Sequence, residues 1–153
     1  MRLPLLSFNL KTIIMTTTFC MTETKDEKNN KIVLVAEDDY SSYKLLSIYI
    51  TKNGAEVLWA KNGLEAVEIC SQNREICLVF MDINMPVMDG FDATKKIKEL
   101  RNDLPVIIQT AYNDNETKCY EAGCDDFIVK PLNMKIIFDM MNKYIREYNH
   151  GNE

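Results

Sequence analysis

From Ile32 onward the chain alternates between two hydrophobic periods, and this alternation constrains its fold more than any other feature. Five short runs, IVLVA (32–36), AEVLWA (55–60), ICLVFM (76–81), PVIIQT (105–110) and DFIVK (126–130), have the length and β-branched, apolar composition of strands. Four are apolar nearly throughout, which predicts burial on both faces. Between them lie segments with helical spacing: 40–52 with Leu45, Leu46, Tyr49 and Ile50; 63–72 with Leu64, Val67 and Ile69; 90–100 with Phe91, Ile97 and Leu100; then 114–122 and 133–148. Turn and cap residues fall at the joints, in Asn53-Gly54, Asn62-Gly63, Asp89-Gly90, Gly123, Pro105 and Pro131. Five β–α units in succession predict a doubly wound α/β domain, because parallel neighbours need right-handed crossovers that lay helices on both faces.

With 153 residues, 46% of them hydrophobic, the chain has material for one such core. That core is expected over 31–148, followed by a polar tail at 149–153. Residues 1–30 read as a disordered extension or linker. TETKDEKNNK (22–31) is too polar to bury surface, and Lys11 interrupts the apolar patches before it, so no stretch there is long enough to span a bilayer. No small-residue cleavage site marks a signal peptide, and Met15 or Met21 is a candidate start. A net charge of −5 argues against a surface built to neutralise nucleic-acid phosphates. The five cysteines, Cys20, Cys70, Cys77, Cys119 and Cys124, form no CxxC pair and sit among apolar neighbours, so reduced buried thiols in a cytoplasmic protein are expected.

Open parallel sheets place their chemistry at the carboxyl ends of the strands. Glu37, Asp38 and Asp39 follow the first run, Asp82 and Asn84 the third, while Thr110 ends the fourth and Lys130 the fifth. Singly, each has a plain structural account: Asp39 as a helix cap, Asp82 as a turn former, Thr110 as a β-former, Lys130 as a solvated strand end. Together they converge on one rim, where packing makes no demand for polar groups. Two carboxylates about 5 Å apart repel by roughly 3 kcal/mol at an effective dielectric of 20, so a cluster of acids calls for a proton or a cation. An all-oxygen site with open positions suits Mg²⁺. Asp82 can then act as a nucleophile toward phosphorus, while Mg²⁺, the Lys130 ammonium and the Thr110 hydroxyl each hold a phosphoryl oxygen.

The strings AEDDYSS, MDINMPVMDG, IIQTAY and DDFIVKP, in this order across Lys31 to about Tyr148, resemble the response-regulator receiver family. The resemblance implies a flavodoxin-like (βα)5 fold with strand order 2-1-3-4-5. It also implies phosphorylation of Asp82, a metal site of Glu37, Asp38, Asp82 and the Asn84 carbonyl, and a phosphoryl-binding switch of Thr110, Lys130 and Phe127. Glu37 replaces the family's more frequent aspartate, which leaves Asp38 as the surer direct ligand, and Asp39 is expected to cap a helix. Phe127 matches the aromatic that moves inward behind the threonine, so the surface formed by the fourth helix, fifth strand and fifth helix is expected to change shape. A cis Lys130–Pro131 bond is implied as well. Asn84 and Tyr112 are expected to modulate hydrolysis, Tyr112 by obstructing water and slowing loss of the phosphoryl group.

The single histidine, His150, lies in the polar tail, so the donor is expected in trans, from a sensor histidine kinase or histidine-phosphotransfer protein. No output domain is expected after the fifth helix, so signalling is expected to pass to a downstream protein, with homodimerisation open and neither nucleic acid nor membrane as a partner. Catalysis beyond self-phosphotransfer and slow autodephosphorylation is not expected. Two alternatives stay open. An aspartyl-phosphate phosphatase of the haloacid-dehalogenase type is disfavoured because Asp82-Ile83-Asn84 lacks that family's second aspartate. The other is an interaction module that works without phosphorylation.

Overall fold

A computed structural model describes residues 31–111 and 116–151, with side chains described through Ile145. Its strands are β1 (Ile32–Ala36), β2 (Glu56–Ala60), β3 (Ile76–Asp82), β4 (Val106–Thr110) and β5 (Asp126–Val129). The helices are α1 (Tyr40–Lys52), α2 (Gly63–Gln72), α3 (Gly90–Leu100), α4 (Glu116–Glu121) and α5 (Met134–Gly151). All strands pair in parallel, in the order β2-β1-β3-β4-β5. The expected doubly wound, flavodoxin-like (βα)5 arrangement is what the chain adopts.

Strand alternation divides the core into two layers. Leu34, Ala36, Val79, Met81, Val106 and Ile108 face one side, where Ala66 and Cys70 of α2, Ala93 and Ile97 of α3, and Cys119 of α4 cover them. Val33, Val35, Phe80, Ile107 and Ile128 face the other, against Leu46 and Ile50 of α1 and Ile137, Met141 and Ile145 of α5. The register of β1 against β3 slips between Ile32 and Val33. This bulge lets consecutive Cys77 and Leu78 face the same layer, a bend that a strict two-residue period does not foretell.

Burial on both faces holds for β1, β3 and β4 but not for β2. As an edge strand it leaves Glu56 exposed and Val57, Leu58 and Trp59 half-buried. Each of the first three helices starts where a side chain caps it: Asp39, Asn62 and Asp89 accept from the backbone N–H groups of Ser42, Glu65 and Asp92. α5 runs three residues past Tyr148, since Asn149 and His150 are poor helix formers but not breakers, and the first glycine is Gly151. Four of the five cysteines, Cys70, Cys77, Cys119 and Cys124, are buried thiols with no disulfide among the described residues. Burial pushes the thiols of Cys70 and Cys124 up to about 12, which keeps them protonated and unreactive.

Candidate functional site

The carboxyl ends of β1, β3 and β5 meet in one acidic cleft. Glu37 is the first residue past β1, and its N–H continues the ladder by donating to the Ala60 carbonyl at 3.0 Å. Asp82 closes β3. Both acids are almost wholly buried, at 3% and 6% exposure, whereas Asp38 is exposed at the mouth. Their carboxylates and that of Asp38 offer oxygens that all lie within 4.8 Å of one another.

Lys130 reaches into this cluster from the far side of β4. Its Nζ donates to Asp82 Oδ1 at 2.7 Å and to Glu37 Oε2 at 3.0 Å. Its backbone N–H donates to the Thr110 carbonyl at 2.7 Å, and a cis peptide bond to Pro131 follows, as the resemblance implied. The Asn84 backbone N–H donates to Asp82 Oδ2 at 3.0 Å, so both oxygens of Asp82 are engaged. Gly90 closes the site from beneath. A Cβ there would stand 2.9 Å from the Asp82 carbonyl carbon and 3.0 Å from Ile83 Cα, so only glycine lets α3 start this close to the strand end.

The charges follow from this packing. Burial raises the Glu37 carboxyl above its usual range, the nearby Asp82 charge raises it further, and the Lys130 hydrogen bond opposes both without cancelling them. Burial would lower the Lys130 ammonium. The hydrogen bonds and charges of Asp82 and Glu37 outweigh burial and hold it above its usual value. The cluster therefore carries more negative charge than its lysine neutralises, and all of its donors are hard oxygens. That donor set, with an exposed third carboxylate at the mouth, fits a small divalent cation such as Mg²⁺.

The other expected residues are less uniformly gathered. Thr110 is buried at the end of β4 and joined to Lys130 through its carbonyl. Phe127 packs in the same layer as Val106 and Ile108 of β4, half-buried, with its ring edge-on to Tyr120 of α4 at 6.0 Å between centroids. Asp39 caps α1 through Ser42 rather than turning into the cluster. Tyr112 lies outside the described residues.

Two site-supporting side chains were not anticipated from the sequence. Trp59, at the end of the edge strand, donates its indole N–H to the Glu37 carbonyl at 2.8 Å. Its ring stacks on Tyr43 of α1, 4.3 Å between centroids and 8° from parallel. Arg101, just past α3, is 2% exposed and donates to the carbonyls of Asn73, Arg74 and Ile76, pinning the approach to β3. The sequence signal for Trp59 was its being the chain's single tryptophan; the structure sets it opposite Val35, one residue before the end of β1. None marked Arg101, because a basic residue at a helix end ordinarily reads as solvated.

Residues 33–142 match the family model described as the response regulator receiver domain. The hybrid signal transduction histidine kinase I of Dictyostelium discoideum is 35% identical over 126 residues, covering 76% of this chain. The chain spans only 7% of that relative's length. The receiver domain of sensor histidine kinase PA1611 from Pseudomonas aeruginosa, solved with a magnesium ion coordinated in its active-site cleft, superposes with a TM-score of 0.71. That likeness is 25% identical and covers 76% of this chain and 98% of the other. The receiver domain of Saccharomyces cerevisiae Ssk1, solved in complex with the histidine phosphotransfer protein Ypd1, gives a TM-score of 0.70 at 26% identity, over 75% of this chain and 88% of the other.

Proposed function

The chain belongs to the response regulator receiver domain family, and from that premise we propose that Asp82 accepts a phosphoryl group from a phosphohistidine of a partner protein. In the transfer, an Asp82 carboxylate oxygen forms a bond to phosphorus as the phosphorus–nitrogen bond breaks, and the imidazole leaves. The observation that carries this reading is the contact of Lys130 Nζ with both Asp82 and Glu37, beside a third carboxylate. An ammonium held on the nucleophile's own oxygen is positioned to follow the charge onto the incoming phosphoryl oxygens. Glu37, Asp38, Asp82 and the Asn84 carbonyl would hold Mg²⁺, with Asp38 the most accessible ligand. The ion would supply neutralisation of phosphoryl charge during transfer.

The magnesium-bound receiver of PA1611 supports the choice of metal, and the Ypd1–Ssk1 complex supports a histidine kinase or histidine-phosphotransfer protein as donor. Thr110, through its hydroxyl, and Phe127, through a change of rotamer under α4, would carry the phosphorylated state to the α4–β5–α5 surface. That surface would meet a downstream protein, or a second copy of the chain. Asn84 and Tyr112 would set how long the phosphoryl group lasts, with Tyr112 slowing its loss. Among the described residues no helix is long and apolar enough to cross a membrane, and the buried thiols fit the reducing cytoplasm.

Acetyl phosphate with Mg²⁺, followed by intact mass, tests the core of the reading. Wild type should gain one phosphoryl mass and Asp82→Ala none. No gain in wild type, or a gain that survives Asp82→Ala, would refute Asp82 as acceptor. Phosphotransfer profiling with the same pair would then identify the donor.

A further inference from the structure

Resting on the metal-binding reading above, we propose that Trp59 is a positioning residue of the acidic site, holding the Glu37–Asp38 peptide in the orientation that brings both carboxylates to the cation. β1 ends at Ala36, so Glu37 is the point where the chain leaves the sheet and begins to turn. Its N–H is tied to the Ala60 carbonyl at 3.0 Å, and its own carbonyl is tied to the Trp59 indole at 2.8 Å. One edge strand thus clamps both sides of the same residue.

The second clamp governs Asp38. The Glu37 carbonyl lies in the peptide plane that joins Glu37 to Asp38, and fixing that oxygen fixes the direction in which the next Cα departs. The Glu37 carboxylate is already oriented by Lys130 and by the Asp39 N–H at 3.3 Å. Asp38 is exposed, so the backbone has to place its carboxylate. The indole is itself held: Tyr43 stacks on it, Tyr40 packs at 5.7 Å, and the Lys61 ammonium lies 5.2 Å over the ring. A half-buried tryptophan on an edge strand could bury equal area without aiming its N–H at a carbonyl of the metal-bearing loop. Groups that orient ligands in this way ordinarily matter to affinity about as much as a tenfold change or more.

Calorimetric titration of Mg²⁺ into the full chain, wild type against Trp59→Phe, tests the idea, with thermal unfolding of both measured without metal. Phenylalanine keeps an aromatic face for Tyr43 and removes the donor together with part of the ring, whose packing loss the metal-free unfolding reads separately. The expected result is about a tenfold weaker Mg²⁺ affinity, with no matching loss in metal-free stability. A second measurement needs no variant. The single indole N–H resonance of the wild type should shift with Mg²⁺, with the same midpoint as the calorimetric curve. Wild-type Mg²⁺ affinity in Trp59→Phe, or an indole resonance indifferent to Mg²⁺, overturns the proposal; if the variant does not fold, the resonance decides alone. A wild type that binds no Mg²⁺ would instead bring down the metal site itself, and this inference with it.

Discussion

Replacing Lys130 with methionine removes the ammonium that stands between two buried carboxylates, while keeping a chain of similar length. Glu37 and Asp82 side chains are 4% and 9% exposed, and their nearest oxygens lie within 4.8 Å. At that separation two full charges repel by about 3.5 kcal/mol at an effective dielectric of 20. That repulsion is present in wild type too; what the variant loses is the ammonium's attraction to both acids, partly offset by the lysine's recovered burial cost, so a net loss of about 3 kcal/mol is expected at neutral pH. For a domain of this size that lowers the melting temperature on the order of 10 °C. The pH dependence identifies the cause. Without Lys130, the Glu37 carboxyl stays raised above its ordinary value of 4.5 by burial and by the Asp82 charge. The folded variant then keeps a proton that the unfolded chain releases, so its stability falls as pH rises above 4.5. Thermal unfolding of wild type and Lys130→Met from pH 4.5 to 8 should show a gap that is small at the acid end and widens with pH. Mg²⁺ should narrow the gap at neutral pH, because a divalent cation can take the ammonium's place. A gap that is constant across pH would mean Lys130 acts by packing, and no gap at pH 7.5 would refute the repulsion.

Gly90→Ala should destabilise the fold by about 2–3 kcal/mol, since the new methyl meets main-chain atoms of Asp82 and Ile83 that cannot swing away; chemical denaturation reads the loss, and acetyl phosphate labelling should slow alongside it. Val87 holds a φ of 71° while 79% exposed, so Val87→Asn should gain about 1 kcal/mol by relieving left-handed strain without losing packing. An unchanged denaturation midpoint would show that the loop absorbs the strain. Arg101→Met should cost on the order of 3 kcal/mol, because three carbonyls lose a charged donor in a buried setting; a loss of equal size in Asn73→Ala, which leaves that residue's carbonyl in place, would point to a different cause.

Which parts of this molecule could be read from its residues depends on whether a side chain's role is periodic or particular. β1, β3 and β4 announce themselves because burial on both faces leaves a continuous apolar run, and the helix starts do so because Asp39, Asn62 and Asp89 are chemically suited to cap. The same rule misjudged β2. A strand's sequence does not carry its rank in the sheet, and EVLWA looks interior until the strand order puts it at an edge. In the cleft, Glu37, Asp82 and Lys130 were legible because unpaired charge at a buried strand end has no packing explanation, and the structure joins all three through one ammonium.

The contacts made by Trp59 and Arg101 were not legible for the opposite reason. Both act on main-chain carbonyls, which every residue possesses, so nothing at the receiving positions records the contact. The two together show how the cleft is held. Arg101 fixes the backbone entering β3, whose far end carries Asp82, and Trp59 fixes the backbone leaving β1, which carries Glu37 and Asp38. The acids that repel one another are therefore kept close from outside the cleft, by side chains anchored in flanking elements, and Lys130 balances them from within. A site built this way holds three carboxylates close together around one ammonium, a hard-oxygen donor set that a divalent cation could satisfy.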